Sequence, residues 1–103
     1  MRIIEKLVDH INEELEGAET YAKCALKYKD DHPHLAKVFY DMSNDEMRHV
    51  HLLHEEVVAL IEEHKRTKGE PPIAMMAVWD YMHRQHIDEA NEIKMLQAEY
   101  KGM

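Results

Sequence analysis

The sequence predicts an all-α fold: an antiparallel hairpin of two long helices followed by a third helix. Three observations carry that expectation. The 103 residues include only 3 Gly and 3 Pro, and the segments between them are rich in Ala, Leu, Met, Glu and Lys, which favour helix. Apolar residues recur at helical spacing along the whole chain, without strand-like alternation. The pattern breaks at Asp30 to Pro33 and again at Gly69 to Pro72, and both places carry turn chemistry.

The first helix is expected from about Arg2 to about Lys29. Its apolar stripe reads Ile4, Leu7, Ile11, Ala18, Tyr21, Ala25 and Tyr28, which cluster on one side at about 100° per residue. Asp30-Asp31-His32-Pro33 interrupts it. Pro33 suits the first turn of a new helix, and the residues before it offer a cap. The second helix then runs from about Pro33 to about Arg66, with the stripe Leu35, Phe39, Met42, Val50, Leu53, Val57, Leu60 and Ile61. Lys65, Arg66 and Lys68 complement the negative end of its dipole and read as a solvated helix end. Gly69 suits a left-handed cap, and Pro71-Pro72 forbids continuation. The third helix is expected from about Ile73 to about Lys101, with the stripe Met75, Trp79, Met82, His86, Ala90, Ile93 and Tyr100. A connection as short as Asp30 to His32 makes the first two helices antiparallel neighbours. The chain reads as a single domain over residues 1–103, with residues 1–66 as the hairpin and 73–101 as the C-terminal helix.

Composition excludes several function classes. The formal net charge of -8 offers no basic face for nucleic acid. The single cysteine, Cys24, permits neither an intrachain disulfide nor a Cys-x-x-Cys metal knuckle. No segment has the unbroken apolar length of a membrane span. Met1 to Lys6 meets charge too early for a secretory signal. A soluble, cytoplasmic protein is expected.

Three polar residues interrupt the apolar stripes. Glu14 fills the gap between Ile11 and Ala18, while Glu13, Glu16 and Glu19 rotate away from that side. Glu46 and His49 fall between Met42 and Leu53, while Asp45 and His51 point elsewhere. Burying one carboxylate alone costs several kcal/mol or neutralises it. A shared divalent cation compensates all three groups at once. Their heights agree: Glu14 lies about 16 residues before the turn and Glu46 about 14 after it, a mismatch of about 3 Å along the axes. Glu46-Met47-Arg48-His49 is also a Glu-x-x-His motif, whose i, i+3 spacing places carboxylate and imidazole on one helical face. A pair of such motifs plus one Glu from each of two further helices is the ligand set of di-iron and di-manganese carboxylate bundles. One chain supplies half of that set. A two-fold dimer of hairpins would supply all of it and form a four-helix bundle core around the metals.

These residues resemble a known superfamily. Glu13-Glu14-Leu15-Glu16 through Tyr21, followed by Asp45-Glu46-Met47-Arg48-His49, is similar to the helix-one and helix-two signatures of ferritin-like proteins, in particular the encapsulated ferritins and rubrerythrin-like proteins. The resemblance covers roughly residues 1–66. It implies a di-iron site that binds Fe(II) and oxidises it with oxygen or peroxide, with Glu46 and its two-fold mate bridging and with Glu14 and His49 as terminal ligands. Manganese or zinc suits the same donors. The chain departs from the pattern in having Thr20 at the position of a helix-one Trp, in lacking rubredoxin cysteines, and in ending Glu99-Tyr100-Lys101-Gly102-Met103 with no targeting peptide of the kind that loads cargo into shells.

Other residues are read more plainly. Tyr21 is expected in the core, with its hydroxyl near enough to support a ligand carboxylate. His10 sits at the stripe edge. His86 and Glu89 are expected to pack or to form ordinary hydrogen bonds rather than to ligate. Trp79, Met75, Met76 and Met82 read as core or interface. Cys24, His51, His54 and His64 have no assigned role. The rival to metal chemistry is a non-catalytic helical oligomerisation module with a polar seam. A weaker third reading is metal storage or sensing without turnover.

Overall fold

A computed structural model describes residues 1–102 and contains three α-helices in the expected order: α1 (Arg2–Tyr28), α2 (Pro33–Lys68) and α3 (Ile73–Lys101). The ends differ from expectation by two residues at most, with α2 running on to Lys68. Gly69 follows with φ 85° and ψ -166°, not the left-handed helical cap expected of it but an extended positive-φ conformation that glycine adopts without the steric cost a Cβ would bring, before the two prolines. His64 Nδ1 donates to the Gly69 carbonyl at 3.1 Å and helps close that end. One expectation about the first turn fails. His32 occupies the N-cap of α2, but neither it nor the two aspartates before it caps the helix through a side chain. His32 N–H donates to Tyr28 O at the end of α1, and Ala36 N–H donates to His32 O as the first bond of α2, both at 2.9 Å. Pro33 at the first turn needs no donor partner.

The core runs along one side of the hairpin. Ile4, Ile11, Leu15, Ala18, Val57, Ile61, Trp79 and Ile93 form its buried cluster. Ala22, Ala25 and Ala36 are also fully buried, and their small side chains let α1 and α2 approach closely. Ser43 joins all three helices. Its hydroxyl donates to Ala18 O at 2.7 Å and accepts from Gln97 Nε2 at 2.9 Å.

The buried arcs are rotated from the expected stripes. On α2 the buried line is Ala36, Ser43, Val57 and Ile61, whereas Leu35 and Met42 are exposed. On α1 Leu15 and Ala22 are buried, and Tyr21 and Tyr28 only partly so. The reason is the placement of α3. It lies in the groove on one side of the hairpin, mainly against α1, and covers one flank of each apolar stripe. The other flank stays open, with Ile3, Leu35, Val38 and Met42 exposed and Leu7, Tyr21, Leu53 and Leu60 half-buried.

Candidate metal centre

Glu14 projects from the middle of α1, and Glu46 and His49 from the middle of α2. All three are half-buried on the open flank of the hairpin, and one donor atom from each lies within 4.8 Å of the others. Sequence periodicity thus picked out three side chains that the antiparallel packing brings together. His49 Nδ1 faces Glu14 Oε2 at 3.4 Å. Gly17 lies beside Glu46. A Cβ there would stand 3.5 Å from Glu46 Oε2, an ordinary van der Waals contact. Periodicity did not single out Gly17, although a glycine inside an otherwise strong helix was its visible signal.

The neighbouring acids and histidines stay outside the group, as their angles on the helices predict. Asp45 pairs with Arg48 at 3.5 Å and His51 with Glu55 at 3.0 Å, both on the solvent side. His10 is exposed and faces Glu13 at 3.7 Å. The Tyr21 ring stacks on Phe39, centroids 6.1 Å apart, and Phe39 stacks in turn on Tyr28 at 6.0 Å. Among the described residues the Tyr21 hydroxyl makes no hydrogen bond to the site carboxylates.

The donor set fits a first-row divalent cation. With metal–ligand bonds of about 2.1 Å, three donors spread evenly about one ion stand about 3.6 Å or less from one another, so rotation of these side chains would be needed to draw them onto one ion from within 4.8 Å. Two carboxylates with one imidazole is an oxygen-rich set with a single nitrogen, which suits iron and manganese as well as zinc.

A protein-family comparison decides the affiliation. The family model described as Rubrerythrin matches residues 5–101, nearly the whole chain. The chain belongs to the rubrerythrin family. This is a di-iron family of the ferritin-like superfamily, and its members usually bind iron. No curated protein and no solved structure gives a significant match. The rubrerythrin match extends through α3, beyond the hairpin on which the sequence resemblance rested, so the third helix is part of the family domain. No helix among the described residues of this rubrerythrin-family chain is long and apolar enough to cross a membrane.

The α2–α3 contact holds groups that periodicity did not foresee. His54 stacks on His83 with ring centroids 4.6 Å apart, and Trp79 stacks on both, at 5.7 Å from His54 and 5.5 Å from His83. His86 is buried, with Nε2 2.7 Å from Asn12 Oδ1. This meets the expectation of packing with an ordinary hydrogen bond. Burial, reinforced by His83, holds the pKa values of both His54 and His86 below the usual histidine value.

Proposed function

We propose that two copies of this chain pair through the open flank of the α1–α2 hairpin and complete a di-iron centre that binds and oxidises Fe(II). The convergence of Glu14, Glu46 and His49 within 4.8 Å on that uncovered flank carries the reading. One chain offers two carboxylates and one imidazole, half of what a carboxylate-bridged pair of metals requires. A two-fold axis beside Glu46 doubles the set to four carboxylates and two imidazoles.

The surface of the chain supports a missing partner. Its accessible area is 6984 Å², against about 6,100 Å² expected for a compact monomer of 12.2 kDa. The excess is close to the roughly 800 Å² that each partner buries in a standard interface. Exposed apolar side chains on the open flank, Leu35, Val38 and Met42 among them, supply the apolar contact that would drive pairing.

In this reading Glu46 and its two-fold mate would be the shared carboxylates, and Glu14 and His49 of each copy would be the terminal ligands, one set per metal. The iron pair supplies the redox chemistry, taking electrons from Fe(II) as substrate to oxygen or peroxide. The protein fixes the donors, excludes bulk water once the partner covers the flank, and sets access. Zinc in the same donors would bind without that turnover, since it undergoes no redox change.

One observation favours a rival. The 3.4 Å contact between His49 Nδ1 and Glu14 Oε2 partly satisfies both groups without metal, as a polar seam in a non-catalytic assembly would. Iron content after anaerobic Fe(II) loading and desalting separates the two. The proposal expects about one iron per chain, lost in Glu46→Ala, and oxygen-dependent absorbance in the wild type alone. A metal-free wild type that stays dimeric, with Glu46→Ala equally dimeric, would establish the seam instead.

A further inference from the structure

On the α3 side of the hairpin lies a cavity of about 500 Å³ between α2 and α3, and four histidines line it: His51 and His54 from α2, His83 and His86 from α3. Both pairs have i, i+3 spacing, so each places two imidazoles on one helical face. The cavity is separate from the carboxylate centre. His54 is eight residues beyond Glu46, about 12 Å further along α2 and turned about 80° around it.

Two ring nitrogens of these histidines have no partner. His83 Nδ1 and His86 Nδ1 are buried and hydrogen-bond to nothing among the described residues. His86 is only 6% exposed, so water does not satisfy it. Its tautomer follows from the other nitrogen. Asn12 Oδ1 is an acceptor 2.7 Å from Nε2, so Nε2 carries the proton and donates it, and Nδ1 keeps a bare lone pair. A buried imidazole lone pair, with the opposite N–H anchored to a carbonyl-type oxygen, is the arrangement of a metal-ligating histidine and its orienting partner.

We propose that this cavity is a second cation site, in which His83, His86 and His54 bind one borderline divalent ion such as Cu(II) or Zn(II). No carboxylate lines the cavity, so its donors are nitrogens. An imidazole set suits copper, zinc and nickel, whereas the carboxylate centre suits harder ions. Two cationic side chains also line the cavity, Arg48 and Lys94; Arg48 is paired with Asp45, and the neutral imidazoles must outweigh the repulsion from Lys94. Burial keeps His54 and His86 neutral and ready to ligate. The rings stack instead of converging, and among the described residues only Glu14, Glu46 and His49 already hold three donors within 4.8 Å. Binding therefore turns the half-buried His54 and His83 about their side-chain torsions, and the cavity provides the space.

The chain carries its own reporter. Trp79 is the single tryptophan, and it stacks on two of the three proposed ligands. Titration of the metal-free protein with Cu(II) is expected to quench its emission, saturating at about one equivalent per chain, with Zn(II) competing the quenching away. The Glu46→Ala variant keeps the quenching unchanged, because the carboxylate centre is not involved. His83→Gln and His54→Gln, checked for unchanged helicity by circular dichroism, each weaken Cu(II) binding by about tenfold or more. Quenching of equal affinity in His83→Gln, quenching lost in Glu46→Ala, or no saturable quenching at all would each overturn the assignment. Should the variants not fold, Zn(II)-dependent NMR shifts in the ring protons of His54, His83 and His86 of the wild type decide the matter. Shifts confined to other histidines would reject it.

Discussion

Ser43 is polar yet fully buried, because both sides of its hydroxyl are used. It donates to Ala18 O and accepts from Gln97 Nε2, linking α1, α2 and α3 at one point. Ser43→Ala strands the Gln97 amide and is expected to cost about 1–3 kcal/mol, read as a lower midpoint in urea unfolding with unchanged slope. An unchanged midpoint would show that the bridge contributes nothing. Glu89 presents the opposite case. Burial, then the carboxylates of Glu19, Glu92 and Glu16, raise its pKa above the ordinary 4.5. The folded state therefore takes up the proton more readily than the unfolded chain. Ionised Glu89 costs stability at neutral pH, and that cost fades as pH falls through the folded value and is gone below about 4.5. Glu89→Gln should raise the melting temperature at pH 7 by a modest amount, within the range of about 0.5 kcal/mol usual for surface changes. At pH 4 the two proteins should melt together. An offset of equal size at both pH values would contradict the charge explanation.

At the scale of elements, each stripe has two flanks with different fates. α3 covers one, where Ile93 and Trp79 meet Ile11, Leu15 and Val57 in the core. Ile93 has no exposed surface, and Ile93→Ala should cost about 2–5 kcal/mol through lost burial and a residual cavity. The other flank is open. Met42 is 36% exposed in the single chain, so Met42→Glu should change the stability of an isolated subunit by no more than about 0.5 kcal/mol. In a dimer paired across that flank it would bury a charge beside another copy. Sedimentation should then show the variant at half the mass of the wild type with full helicity. A variant that remains dimeric would place the interface elsewhere. The helices and their ends were legible from spacing and turn residues. The side-chain cap expected before Pro33 was not, because residues 32–35 are exposed and water serves the first N–H groups of the helix.

The whole molecule is a rod of 56 × 19 × 18 Å with a radius of gyration of 16.4 Å, against about 13 Å for a compact chain of this length. Such a shape leaves a small core for so many residues, and a partner or a bound metal then carries a large share of the stability. A ligand at 100 times its dissociation constant adds about 2.7 kcal/mol. Anaerobic Fe(II) loading should therefore raise the melting temperature of the wild type but not of Glu46→Ala. A chelator should return the wild type to the variant's value. An equal rise in both would show that iron stabilises through some other group.

The sequence by itself determined the number of helices, their bounds to within about two residues, the antiparallel sense of the first pair and the three polar residues that interrupt the stripes. These are local properties: spacing sets the angle of each side chain on its own helix, and Gly69 and the prolines set where helices stop. It also placed Glu14 and Glu46 at one height, because a short turn makes position along the two axes a matter of counting. Only the tertiary structure decided which flank of each stripe is covered, since periodicity carries no record of which neighbour lies against which arc. The burial of Ser43, the exposure of Leu35 and Met42, and the meeting of His54 with His83 all follow from where α3 lies. They were beyond reach because residues 54 and 83 come together through packing, which no spacing within either helix encodes.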